Sequence, residues 1–140
     1  MKIENKNLKG WQAKGLSDAQ IKKVAIYQKE FIDANKERLT ATLDTKEAVL
    51  KTDITFIIVP TPSGPDGAFT NKYVLEAMKE IGSALKEKAA YHLVVVTSTV
   101  MPGSTNGEIK HALEIASGKN VGENLGLCYS PEFIALGSVI

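Results

Sequence analysis

The chain has little of several things that would announce a function. A single cysteine, Cys128, in 140 residues excludes an internal disulfide and a cysteine-based metal cluster, and fits a reducing compartment. Neither His92 nor His111 has a second His, Cys or carboxylate at ligand spacing, so no metal site is expected. No apolar stretch approaches the roughly 18 residues of a membrane span. The N-terminus is charged and lacks the continuous apolar segment of a secretory signal. No membrane partner is therefore expected, and the cytoplasm is the default location. Charge of one sign is lacking too: a net charge of +1, from 17 basic and 16 acidic residues, offers no electrostatic case for nucleic acid. The N-terminal quarter is rich in lysine, which a solvated helix face explains. A hydrophobic fraction of 44% over this length suits one domain with an apolar core. We divide the chain into a polar N-terminal tail, 1–16, and a folded part, 17–140.

What is present alternates between two periods. From Ser17 to about Lys36, the residues Ile21, Val24, Ala25, Phe31 and Ile32 recur at helical spacing, and Ser17 or Asp18 can cap the first turn. This stripe needs a surface to pack against. Leu39 to Leu43 alternates threonine with apolar residues and is expected to be a short strand. Asp44-Thr45-Lys46-Glu47 has the pattern of a capping box before a brief helix. Ile54 to Val59 is apolar and β-branched, a strand. A helix over about Lys72 to Lys88 carries Val74, Met78, Ile81 and Leu85 on one stripe. Strand 92–97 is nearly all apolar, as in a strand covered on both faces. A helix over 105–117, with Thr105 and Glu108 in capping-box relation, should bury Ile109, Ala112, Leu113 and Ala116 and stop at Gly118. Leu125 to Tyr129 is the last strand, inside which Cys128 reads as a small core residue. Connections long enough to hold helices make the sheet parallel and the class α/β.

In parallel α/β sheets, ligands bind beyond the carboxyl ends of the strands. Three such ends are visible: Val59-Pro60-Thr61-Pro62, Ser98-Thr99-Val100-Met101-Pro102-Gly103 and Ser130-Pro131-Glu132-Phe133. Together they offer hydroxyls, one carboxylate and rigid turns to one crevice.

In order and spacing, V-P-T-P at 59–62, S-T-V-x-P-G at 98–103 and P-E-F-x-x-x-G-S at 131–138 resemble the NAD-binding domain of the UDP-glucose/GDP-mannose dehydrogenase family. Members of that family oxidise the C6 alcohol of a nucleotide sugar to a carboxylate. The resemblance runs from about Arg38 onward. It implies a Rossmann-like, three-layer parallel sheet, NAD as cofactor and a nucleotide sugar as substrate. The family opens with a strand running into a G-x-G-x-x-G turn that holds the pyrophosphate. These 140 residues contain no such run, since Gly10 and Gly15 stand isolated in polar sequence. They also lack the family's G-x-C-x-P-K-type motif with the catalytic thiol, which Cys128 does not match. The chain thus reads as the C-terminal part of a dinucleotide-binding domain, without the first β-α-β unit. Strand 54–59 would then have an unpaired edge, and a homo-oligomer is expected.

The resemblance implies roles for individual residues, and each has a plainer alternative. Glu132 would help activate the water that hydrolyses a thioester intermediate; alternatively it is a solvated acid at a helix start. Thr99 would hydrogen-bond that water or the cofactor, or merely satisfy loop backbone. Val59, Pro60, Thr61, Ser98 and Thr99 would hold the nicotinamide side of NAD, or simply form rigid strand exits. Phe133, Ile134, Ala135 and Leu136, with Glu132, would line the nucleotide-sugar site. A part of an NAD-dependent UDP-sugar 6-dehydrogenase, inactive alone, is the leading reading. A non-catalytic α/β fragment or interaction module is the alternative.

Overall fold

The structure, a computed structural model, describes residues 17–64 and 67–132, apart from the side chains of Asp18, Gln20, Ile21, Val24 and Ala25. The chain divides into two compact units, Met1–Ala41 and Thr42–Ile140. In the first, helix α1 (Asp18–Asn35) takes the expected bounds within a residue, and Tyr27 and Phe31 are exposed on it. Ile32 of its stripe is exposed too, while Ile21, Val24 and Ala25 lie outside the described side chains, as does the N-terminal tail.

The second unit runs α2 (Thr45–Lys51), β1 (Ile54–Ile57), α3 (Lys72–Leu85), β2 (His92–Val96), α4 (Lys110–Ser117) and β3 (Leu125–Tyr129). The three strands form one parallel sheet in the order β1-β2-β3, the parallel α/β arrangement expected of a partial Rossmann-like domain.

The alternation of side chains across the strands explains where the core lies. Ile57, Val94, Val96 and Leu125 point to one face, where they meet Val74, Met78, Ile81 and Leu85 of α3, Ile109 and Leu113. The stripe read from the sequence of α3 is thus the stripe that is buried. On the other face lie Ile54 and Phe56, 48% and 62% exposed, in register with Leu93 and Val95. α3 and α4 approach closely because Gly82 has no side chain. A Cβ built there would lie 2.5 Å from the Ala116 Cβ.

Helix ends show which local signals prevailed. Asp44 caps α2, its Oδ1 accepting from the Glu47 amide at 3.1 Å, so the first half of the expected box forms. Its second half does not. The Glu47 carboxylate accepts instead from Lys51 at 2.6 Å and Thr42 at 3.0 Å, and these two hydrogen bonds, Lys51 foremost, hold its carboxyl below the ordinary range. α3 ends three residues earlier than expected because Lys88 turns inward. There its Nζ donates to the Val49 and Thr52 carbonyls and so caps the carboxyl end of α2.

Three further expectations are corrected. Leu39 to Leu43 forms no strand: Leu43 is fully exposed, and Thr42 serves as a local cap, accepting from the Asp44 amide at 3.1 Å. The helix expected over 105–117 begins as a wide π-type turn, Thr105–Ile109, where Gly107 departs from helical geometry with φ −94 and ψ −113. The Thr105/Glu108 capping box is accordingly not made. Finally, Cys128 is exposed and not a core residue. β3 is an edge strand among the described residues, and its last two residues are exposed. Gly118 ends α4 with φ 66, as expected. The outer edge of β1 also has no partner strand among the described residues.

Candidate functional site at the strand ends

Because the strands are parallel and in register, Ile57, Val96 and Tyr129 end side by side. The segments that leave them, from Ile58, Thr97 and Ser130, therefore emerge along one border of the sheet. Backbone hydrogen bonds carry the pairing past the strands. The Thr97 and Ser98 amides donate to the Ile57 carbonyl at 3.0 and 3.2 Å, and the Ser130 amide to that of Val96 at 2.9 Å.

Ser98 is buried, and its hydroxyl accepts from the Val59 amide and donates to the Val59 carbonyl, each at 2.8 Å. Pro60 has no N–H, so the backbone ladder cannot continue; the serine side chain takes its place for one residue. Val59 is half-buried against the core. Pro60 is exposed and Thr61 half-buried. Thr99 is exposed on the neighbouring loop, which turns sharply at Met101-Pro102-Gly103-Ser104. The Ser104 amide donates to the Met101 carbonyl at 3.1 Å, and Gly103 adopts φ 86, a conformation strained for other residues. Glu132 is exposed, after a half-buried Pro131. The structure thus brings Val59, Pro60, Thr61, Ser98, Thr99 and Glu132 to one border of the sheet. Phe133, Ile134, Ala135 and Leu136 lie outside the described residues.

This border has a definite chemical character. No lysine or arginine occurs in residues 58–64, 97–104 or 129–132. Hydroxyls and rigid backbone suit a ribose or a carboxamide; they do not suit a pyrophosphate, which needs cations or a helix N-terminus with free amides. The residues therefore fit the nicotinamide side of NAD. Among the described residues no group of His, Cys, Asp and Glu could hold a metal ion, and no helix is long and apolar enough to cross a membrane.

A cleft of about 910 Å³ lies elsewhere, between α2 and the C-terminal half of α3. Its polar groups already pair with one another, Lys46 with Glu87 at 2.6 Å and Thr45 with Glu80 at 3.1 Å. The strand ends, where several loops converge, are the better candidate.

Two arrangements escaped the sequence reading. Asn71, before α3, donates from Nδ2 to the Glu108 carboxylate at 2.6 Å; an Asn ahead of a helix was a visible signal, but its partner was not. At the opposite end of the sheet, buried His92 meets Thr55 through Nε2 at 2.9 Å and Lys88 through Nδ1 at 3.1 Å. The Lys88 ammonium can only donate, so Nδ1 accepts and Nε2 carries the proton. Burial first, and then the Lys88 charge, push the imidazole below its ordinary range.

Known proteins share this arrangement. GDP-mannose 6-dehydrogenase of Pseudomonas aeruginosa is 42% identical over 103 residues, 74% of this chain and 24% of that protein. UDP-glucose 6-dehydrogenase of Haloferax volcanii is 41% identical over 104 residues, again 74% and 24%. Among solved structures, a ternary complex of the Pseudomonas aeruginosa GDP-mannose dehydrogenase superposes with a TM-score of 0.69 at 42% identity, over 72% of this chain and 23% of that one. A UDP-glucose dehydrogenase from Pyrobaculum islandicum gives 0.65 at 37% identity, over 73% and 23%. The chain spans about a quarter of the length of the relatives it matches. With residues 13–140 matching the model of the family's NAD binding domain, and with the strand ends meeting as described, the chain belongs to the UDP-glucose/GDP-mannose dehydrogenase family.

Proposed function

We propose that this chain forms the nicotinamide side of the NAD site in a nucleotide-sugar 6-dehydrogenase, which oxidises the sugar C6 alcohol to a carboxylate. The observation that carries the reading is the convergence of the three strand ends, bearing V-P-T-P, S-T-V-M-P-G and S-P-E, on one border without cationic residues. NAD supplies the hydride acceptor; the protein positions it and excludes competing reactions. Val59, Pro60 and Thr61 hold the nicotinamide ribose through backbone and hydroxyl. Ser98 acts through Val59, since its hydroxyl is engaged there. Thr99 donates to water or cofactor, and Glu132 takes the proton of the water that releases the product from a thioester. Phe133, Ile134, Ala135 and Leu136 line the sugar side with Glu132. The thiol and the pyrophosphate turn are absent from these 140 residues, so alone they bind NAD weakly, with a Kd of roughly 1 mM, about −4 kcal/mol, and turn over no UDP-sugar. A reducing, cytoplasmic setting suits the lone exposed thiol.

An NAD+ titration followed by amide NMR tests the site. Shifts confined to Thr61, Thr99 and Glu132 and their neighbours support it; saturation at micromolar NAD+, or shifts elsewhere, would sink it.

A second reading, an interaction module that self-associates, draws on β1. Its outer edge is unpaired among the described residues, and Ile54, Phe56 and Ile58 are exposed beside it, Ile58 at 77%. Charged residues and prolines that protect such edges are missing from 54–58. Light scattering decides: a dimer or larger species that Phe56→Lys returns to monomer supports it.

A further inference from the structure

The two loops that carry the proposed cofactor contacts are joined at two places. Next to the sheet, the Ser98 hydroxyl bonds the amide and carbonyl of Val59. Farther out, the Asn71 Nδ2 donates to the Glu108 Oε1 at 2.6 Å. Asn71 follows Thr70, whose amide donates to the Pro62 carbonyl at 3.0 Å and closes the loop begun at Pro60. Glu108 lies in the wide turn, which the Gly107 amide (to Gly103, 2.9 Å) and the Ile109 amide (to Ser104, 3.1 Å) fasten to the end of the S-T-V-M-P-G segment. The path from Val59 to Asn71, across to Glu108, back to Ser98 and across to Val59 is a closed ring. One tie would let the loops pivot about it; two fix their separation and angle. Pro60, Thr61 and Thr99 lie between the ties.

Asn71 is poorly explained as a mere helix start. It stands at the cap position of α3, yet its side chain makes no cap hydrogen bond. It is buried, and its Oδ1 has no hydrogen-bond partner among the described residues. Turning the amide over would set its oxygen against the Glu108 carboxylate, so the bond to Glu108 determines how the group sits. We propose that Asn71 and Glu108 are positioning residues which hold the Pro60-Thr61 loop and the Thr99 loop at the spacing that the nicotinamide side of NAD needs. This rests on the site proposed above.

Glu108 is exposed, so Glu108→Ala can remove the outer tie without opening the core. Without ligand, this variant should shift the amide resonances of Thr61 and Thr99 and leave those of β2 in place. Its NAD+ affinity, from the same titration, should fall about tenfold. Glu108→Gln keeps an acceptor oxygen and should recover most of both effects, which a loss of charge or of general stability would not allow. Asn71→Leu should reproduce Glu108→Ala from the other side. Unchanged Thr61 and Thr99 resonances together with unchanged NAD+ affinity in Glu108→Ala would overturn the proposal. If the parent protein itself gives no NAD+-induced shifts at Thr61 and Thr99, the site reading fails, while the ligand-free spectra still decide whether the tie holds the loops.

Discussion

The two ends of the sheet are built on opposite terms. At the carboxyl end, the half-buried Thr61, the exposed Thr99, prolines and one acid stand on loops joined by a few hydrogen bonds, with no lysine or arginine in them. At the amino end, a lysine and a histidine are buried with Thr55, and Lys119 donates to the Lys88 carbonyl behind them. The end proposed for ligands has no lysine or arginine in its loops and is thinly tied; the opposite end carries the buried charge. The contrast separates the proposed site residues from stabilising ones more sharply than residue type does, since Lys and His would ordinarily attract a catalytic reading.

The largest effect should come from Lys88→Met, which leaves the Val49 and Thr52 carbonyls and the His92 Nδ1 without their donor. We expect a loss of about 3 kcal/mol in denaturant unfolding, with the strand-end resonances of the folded protein unmoved. A loss below 1 kcal/mol would erase the contrast.

Acid should act at the same end. The folded pKa of His92 lies below its unfolded value of about 6.5, so the unfolded chain takes up the proton first as pH falls. Stability from this site is complete above about pH 6.5 and declines as pH drops below it toward the folded value. The groups facing the ring are Thr55, Lys88, Asp53 and Lys119, and a protonated Nδ1 would confront the Lys88 ammonium. Melting temperatures between pH 8 and 5 should show the decline, and His92→Gln should flatten it.

A smaller effect tests the helical layer that both ends share. Gly82→Ala gains up to about 1 kcal/mol of helix propensity but forces a Cβ to within 2.5 Å of Ala116, which costs about 1–3 kcal/mol. A net loss of about 1 kcal/mol is expected in the same unfolding measurement; a gain would mean that α3 and α4 separate freely. The smallest effect should be that of Cys128→Ser. The thiol is exposed, so stability should change by no more than about 0.5 kcal/mol, and no NADH should form from UDP-sugar and NAD+ before or after the change. Activity lost with the thiol would make the open face of the sheet a catalytic surface.

Periodicity and turn chemistry revealed most of this fold. The stripe Val74, Met78, Ile81, Leu85, the run at 92–96, the cap at Asp44 and the stop at Gly118 are local patterns, and each formed. What stayed hidden depends on a partner distant in the chain. Glu108 looked like half of a capping box until Asn71, 37 residues earlier, claimed its carboxylate. Cys128 looked buried because a strand interior is often covered, but coverage depends on what lies beside and above β3. Lys88 was expected only as the end of a helix, and the carbonyls of α2 make its burial tolerable. At the candidate site, the motifs located the loops, whereas the use of the Ser98 hydroxyl on Val59 emerged only with the parallel register.

The strand order β1-β2-β3 repeats the order of the chain. During synthesis each new strand therefore meets its neighbour already in place, after one helical crossover, and no earlier element has to be displaced to admit it. Each crossover closes a loop whose entropic cost grows only slowly with its length. The three strands accordingly form a row to which members are added in the order of the chain.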